Sequence, residues 1–270
     1  KKIAEVLASI DNVIETTKKL INKYKKVKQG LMQDLFTRGV LPDGRLRPSF
    51  KEEPQIYKCT DLGYVPKEWN VKTLGQVCNI VSGGTPDRAC PEYWEGGTIP
   101  WATPTDITGN NGRVINKTKE YITKKGLRNS SAKIVPPGSL LMTSRATIGE
   151  IKINEVEMCT NQGFKTLVPY EEIDSWFLYY QMRFFKQKYE ALGSGSTFLE
   201  VSKKDTDKFA ILVPNKIEEQ RQIRDVLLNI DSAIEKNEQM IMKFNEIKLG
   251  LMQDLLTGKV RVKVEGDRDE

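Results

Sequence analysis

Apolar residues near the start of the chain fall at alternating spacings of four and three: Ile3, Leu7, Ile10 and Ile14, then Ile21, Tyr24, Leu31 and Leu35. A repeat of about 3.5 residues predicts a helix that buries one narrow stripe against a second helix. The same spacing returns near the end of the chain as Ile223, Leu227, Ile230, Ile234, Ile241, Phe244, Leu251 and Leu255. It returns because the sequence is duplicated. Residues 3–40 align with residues 223–260, and Gly30-Leu31-Met32-Gln33-Asp34-Leu35 reappears unchanged as Gly250-Leu251-Met252-Gln253-Asp254-Leu255. Even the polar interruptions agree, Thr17 with Asn237 and Lys28 with Lys248. The expected seam uses Ile10, Ile14, Ile21, Tyr24 and Leu31 of one copy and Ile230, Ile234, Ile241, Phe244 and Leu251 of the other. A helix of roughly 35 residues is about 50 Å long, so the pair has the dimensions of a stiff spacer.

Between the copies the period changes. Gly39 and then Pro42-Asp43-Gly44 stop the first helix near Thr37, and residues 41–56, with three prolines, predict a linker. Residues 57–214 break into short runs punctuated by Gly and Pro, with strand signals at 78–81, 139–143 and 164–169. A helix is predicted from about 174 to 192, capped by Asp174 or Ser175 and stopped by Gly193, with Trp176, Phe177, Tyr180 and Phe184 forming a core-facing stripe. Pro214 and the acidic turn Glu218-Glu219 announce the second long helix, the carboxylates suiting its positive end. The expected class is α+β: a mixed α/β domain (57–214) flanked by two long α-helices (1–40 and 215–258) that form an antiparallel coiled-coil-like spacer, with a charged tail at 259–270.

With 270 residues and 39% apolar composition the chain can bury a core. It has neither an apolar run of about 18 residues nor the apolar block of a signal peptide, so a soluble cytoplasmic protein without a membrane partner is expected. The chain contains no histidine, and Cys59, Cys78, Cys90 and Cys159 are scattered without a CxxC pair. No zinc site and no Ser-His-Asp or Cys-His nucleophile is therefore expected, and the thiols should be reduced and structural. Charge adds more through its distribution than through its net value of +6. Residues 1–40 carry nine Lys or Arg against four acids, whereas residues 217–270 carry nine against twelve, so the long helices are complementary. The middle keeps a net +4 (6 − 5 + 3) in segments rich in Gly, Ser and Thr.

A protein that reads DNA needs hydrogen-bonding side chains on rigid loops for base edges and cations for phosphates. Thr103, Thr105 and Asp106, beside Trp101 in a loop bounded by proline, offer hydroxyls and a carboxylate, or else an ordinary capped turn. Ser144, Arg145 and Thr147 close a strand; Arg145 suits guanine, a phosphate, or a structural ion pair. Asn161 and Gln162 carry amides that fit adenine, or a turn made with Gly163. Ser194, Ser196 and Thr197, in the run Gly193-Ser194-Gly195-Ser196-Thr197, can bring backbone amides to a phosphate with Lys203 and Lys204 following; a flexible loop is the other reading. No GxxxxGK[ST] run supports nucleotide hydrolysis. A nuclease reading rests on Pro86-Asp87 with Glu150-Ile151-Lys152, a triplet that chance supplies again as Glu246-Ile247-Lys248 on the heptad helix. A methyltransferase reading lacks a glycine-rich cofactor loop and an Asn-Pro-Pro-Tyr-like motif.

Several phrases then stand in order: GYVPKEWNVKTLGQV at 63–77, SGGTP at 82–86, GTIPWATPTDI at 97–107, SSAKIVPPGSLLMTSRATIGE at 130–150, TNQGF at 160–164, GSGST at 193–197 and VPNKIEEQRQI at 213–223. Set between duplicated helices, they resemble the DNA specificity subunit of type I restriction-modification enzymes, in which target recognition domains alternate with conserved helical spacers. The resemblance implies double-stranded DNA as ligand and no catalysis in this chain. It implies methyltransferase (modification) and restriction (endonuclease) subunits as partners, with S-adenosylmethionine, ATP and Mg held by them and no cofactor or metal here. The usual subunit has two recognition domains and this chain has one. A half subunit reading one half of a bipartite site is expected, either as a homodimer or as the second half of a longer subunit, since the first copy begins abruptly at Lys1-Lys2-Ile3. A coiled-coil scaffold, or a stand-alone DNA-binding module without a restriction role, is the alternative.

Overall fold

The structure is a computed structural model that describes residues 2–109, 112–145, 147–194 and 199–260. The described residues form two compact units, 2–31 with 225–260, and 32–224.

The first unit consists of most of the long helices α1 (Lys2–Thr37) and α8 (Ile217–Leu256). They run antiparallel, as three ion pairs show: Lys25 with Glu238 at 3.0 Å, Lys28 with Asp231 at 2.6 Å, and Lys248 with Asp11 at 2.6 Å. Lys28 aligns with Lys248 and Asp231 with Asp11, so the last two pairs are one contact made twice. The sequence duplication has become a local two-fold relation between the helices. Ile14, Ile21 and Ile234 are buried; Ile10, Tyr24, Leu31, Ile230, Ile241, Phe244 and Leu251 are half-buried. The complementary charges of the two copies are thus matched within one chain.

In the second unit the hairpin β1 (Tyr57–Thr60) and β2 (Gly63–Pro66) precedes β3 (Trp69–Thr73), which pairs antiparallel with the last strand, β12 (Ala210–Pro214). The short helix α2 (Leu74–Val77) leads into β4 (Cys78–Ser82). A five-stranded sheet has the order β4, β11 (Phe164–Pro169), β8 (Leu140–Thr143), β9 (Ile151–Asn154) and β6 (Val114–Ile115), antiparallel except between β9 and β6. A smaller mixed sheet has the order β10 (Cys159–Thr160), β5 (Ile99–Ala102) and β7 (Glu120–Ile122). Short helices α3 (Pro104–Thr108), α4 (Lys124–Arg128), α5 (Ser175–Phe184), α6 (Lys186–Glu190) and α7 (Lys203–Lys208) fill the connections.

Every residue of β8 and β9 is buried, as expected of strands covered on both faces. Ala102, Ile107, Ile115, Leu141, Met158 and Phe164 pack as one core cluster. Phe177 and Tyr180 of α5 are buried, and Phe36 from the last turns of α1 meets Phe177 edge-on at 5.7 Å. The helix expected over 174–192 is two, α5 and α6, separated at Phe185.

Two expected features take part in the packing of this unit. Residues 41–56, expected as a linker, are held against the unit: Arg47 is buried, and the Tyr57 hydroxyl donates to the Pro48 carbonyl at 2.6 Å. Glu219 lies in the acidic first turn of α8, as expected, and it is buried. Its buried carboxylate accepts from both terminal nitrogens of Arg47, from Trp69 Nε1 at 3.1 Å and from the Val40 amide at 3.1 Å. Gly39 turns the chain past this carboxylate at φ +66°, and a Cβ there would overlap Glu219, Arg47 and Trp69.

Candidate nucleic-acid interface

Four loops that are distant in sequence are stitched together at the strand ends. Beyond β5, the Ala102 carbonyl accepts from the Asn161 amide at 3.0 Å. The Gly163 carbonyl accepts from the Ser144 amide at 2.8 Å, and the Ser144 carbonyl from the Val201 amide at 2.9 Å. A fifth segment joins them: the Gly84 amide donates to the Thr160 carbonyl at 2.9 Å, and the Thr85 hydroxyl donates to Gln162 Oε1. A Cβ on Gly83 would overlap the Asn161 carbonyl, so this approach needs glycine.

Asp106 is 8% exposed, and both its oxygens are engaged inside the protein. Oδ2 accepts from the Thr103 amide at 2.8 Å and the Thr103 hydroxyl at 2.6 Å; Oδ1 accepts from the Lys119 amide at 3.0 Å. The expectation of a base contact therefore does not suit Asp106, whose carboxylate shapes the loop. Its effect reaches the surface. Thr103 has one hydroxyl proton and gives it to Asp106, so Thr105 Oγ1, 2.8 Å away, must donate to Thr103. Thr105 is exposed and is left presenting acceptor lone pairs. From below, the buried ammonium of Lys152 reaches the Asp106 carbonyl at 3.4 Å; burial lowers the Lys152 pKa, opposed by the Asp106 charge.

Asn161 Oδ1 accepts from the Gly163 amide at 2.9 Å, which is the turn role. Gln162 is exposed with its oxygen held by Thr85, leaving its amide protons outward. Ser144 is fully buried, its hydroxyl 3.3 Å from Lys165 Nζ, so it supports the site rather than lining it. Arg145 donates through Nε to Glu200 Oε2 at 2.8 Å, and Glu200 Oε1 accepts from Lys165 Nζ at 3.0 Å. The Arg145 side chain keeps 43% of its exposure. Burial raises the Glu200 pKa, but hydrogen bonds from Lys165 and Arg145 outweigh it and hold the carboxyl below its ordinary value. A depressed carboxyl stabilises above its unfolded pKa, so this contribution is lost only as pH falls through the lowered one.

Thr147 is exposed at φ +64°, a rare conformation for a β-branched residue. Ser194 is exposed and exchanges two backbone hydrogen bonds with Glu200. Ser196 and Thr197 lie outside the described residues. Lys203 and Lys204 are exposed in the first turn of α7, where the helix dipole disfavours cations. Among residues not singled out from sequence, Thr85 stood in the visible SGGTP phrase. Lys165 and Glu200 left no local signal, because their partners lie 21 to 55 residues away.

The sequence pattern of the family described as type I restriction modification DNA specificity domain matches residues 66–243. The chain belongs to this family. The matched span contains all five segments of the interface. Among curated relatives, the MjaIX specificity subunit of Methanocaldococcus jannaschii is 34% identical over 73% of this chain and 46% of its own length. The MjaVIII specificity subunit of the same organism is 28% identical over 97% of this chain and 60% of its own length. The HsdS subunit from Thermoanaerobacter tengcongensis shares the fold, with a TM-score of 0.62 at 17% identity over 94% of this chain and 55% of that one. The chain spans about half the length of the relatives it matches.

Proposed function

We propose that this chain selects DNA sequence for a type I restriction-modification system, reading one half of a bipartite site in double-stranded DNA. The supporting observation is the stitched surface itself. It sets an acceptor at Thr105, donors at Gln162, a guanidinium at Arg145 and cations at Lys203 and Lys204 on loops fixed by a common set of backbone bonds. Acceptor, donor and bidentate fork are the groups that distinguish base pairs in the major groove, and lysines suit the phosphates beside it.

In this reading the chain is a non-catalytic subunit working in the cytoplasm. Methyltransferase subunits supply S-adenosylmethionine chemistry, and restriction subunits supply ATP- and Mg-dependent cleavage. A second chain, either another copy or the remainder of a longer subunit, reads the other half-site. Partner docking has a candidate surface on the long helices, where Val13, Leu20, Val27, Met240 and Ile247 are exposed.

The test is methylation. The chain is combined with a type I methyltransferase subunit and S-adenosylmethionine, and the methylated positions on plasmid DNA are sequenced. Methylation confined to sites that share one half-site sequence is expected. Methylation that does not depend on the chain, or cleavage by the chain alone, would reject the proposal.

A further inference from the structure

We propose that Glu200 is a positioning residue for base recognition, holding the Arg145 guanidinium by its Nε so that the two terminal nitrogens meet guanine as a fixed fork. The inference rests on the DNA-reading function proposed above and adds a residue to it.

Glu200 is pinned from three directions. Its backbone exchanges hydrogen bonds with Ser194 at 3.0 and 3.2 Å and pairs with Arg145 as an antiparallel bridge. The next residue, Val201, is buried and donates to the Ser144 carbonyl. Its second carboxylate oxygen is taken by Lys165, which is 5% exposed and anchored in turn to the Ser144 hydroxyl. A carboxylate fixed this firmly can fix what it holds. It takes Arg145 through Nε, the one guanidinium donor that does not take part in an end-on bidentate contact. Among the described residues Glu200 is the only side chain bonded to Arg145, so both terminal nitrogens remain for a ligand.

Charge favours the same role. One carboxylate faces two cations, and the buried Lys165 balances it, so Arg145 offers its positive charge outward instead of losing it to the pair. Bidentate recognition of guanine O6 and N7 requires a coplanar fork at a set height and angle, which an untethered arginine reaches in few of its rotamers. A carboxylate that only competed with phosphate would need no buried second cation behind it.

The experiment is selection of randomised duplexes by the full chain at low salt, followed by sequencing of the bound fraction. Wild type is expected to enrich a set of base-pair columns, and Arg145→Ala to flatten one G·C column about tenfold. Glu200→Ala should flatten that same column by a similar factor and leave the others within about twofold. Lys165→Met, which loosens Glu200 without touching Arg145, should flatten it less, and decides the question if Glu200→Ala does not fold. A column that Arg145→Ala flattens and both other variants leave intact overturns the positioning role while the DNA-reading function stands. Equal flattening of every column by Glu200→Ala makes the residue merely structural and also overturns it. If no column responds to Arg145→Ala, or wild type enriches nothing, the reading beneath this inference falls with it.

Discussion

At the scale of single residues, side-chain chemistry was legible but direction was not. Thr105 and Gln162 are exposed and Arg145 is half-buried, whereas Asp106 and Ser144, chosen on the same grounds, are buried. Asp106 is turned by the local capped turn it makes with Thr103, the alternative its sequence offered, and by the Lys119 amide 13 residues on; Ser144 is turned toward Lys165, 21 residues away, which no local pattern discloses. The outward residues divide by role. Lys203→Ala should reduce the slope of log affinity against log salt by about one and leave sequence preference unchanged. Arg145→Ala should cost about 1–3 kcal/mol on its preferred base pair and little on others; titrations at several salt concentrations on matched and mismatched duplexes separate the two. Deeper in, Glu219→Gln leaves Arg47 buried without its main counter-charge, and a loss of about 3 kcal/mol in denaturant unfolding is expected. Burial pushes the Cys78 and Cys159 thiols up to about 12. At pH 8 iodoacetamide should therefore label the exposed Cys59 and spare those two until the protein unfolds, as peptide mass spectrometry will record.

Secondary-structure elements were legible where their signals are local. Strand β11 spans the run that follows Gly163 and closes on Pro169, and α1 ends at Thr37, two residues before a glycine at positive φ. Sheet order was not legible, because pairing Val114 with Ile153 depends on loop closure and shared burial rather than on either strand's composition. The long helices lie between these cases: the heptads specify a helical partner, and the duplicated charges specify which one. Lys28 with Asp231 and Lys248 with Asp11 are equivalent by duplication but differ in exposure, at 23% and 10% against 31% and 51% for the side chains. A screened pair contributes less than a shielded one. Double-mutant cycles on the full chain should give a coupling of about 1 kcal/mol for Lys28 with Asp231 and under about 0.5 for Lys248 with Asp11. Equal values would mean that duplication, not burial, sets their strength.

For the whole molecule, the seam leaves apolar surface unaccounted for. Val6, Val13, Leu20 and Val27 recur every seven residues on α1, one position before the seam residues Leu7, Ile14, Ile21 and Lys28. Val226, Ala233, Met240 and Ile247 occupy the same register on α8. A two-helix seam needs two apolar positions per heptad; a third beside it is the pattern of a helix with more than one neighbour. With the seam already filled within the chain, Leu20 stays 37% exposed and Met240 47% exposed. On the function proposed above, apolar surface repeated on both copies of a duplicated element would suit an assembly in which like partners meet like surfaces, such as two methyltransferase subunits or a second copy of this chain. Leu20→Glu combined with Met240→Glu should therefore abolish association in chromatography with light scattering, for the chain alone and mixed with a methyltransferase subunit, while the helix content by circular dichroism is retained. The columns selected from randomised duplexes should be unchanged, because the substitutions lie outside residues 32–224, which carry the candidate interface. Association that survives the two glutamates would move the partner surface elsewhere and leave the third stripe without a role in assembly.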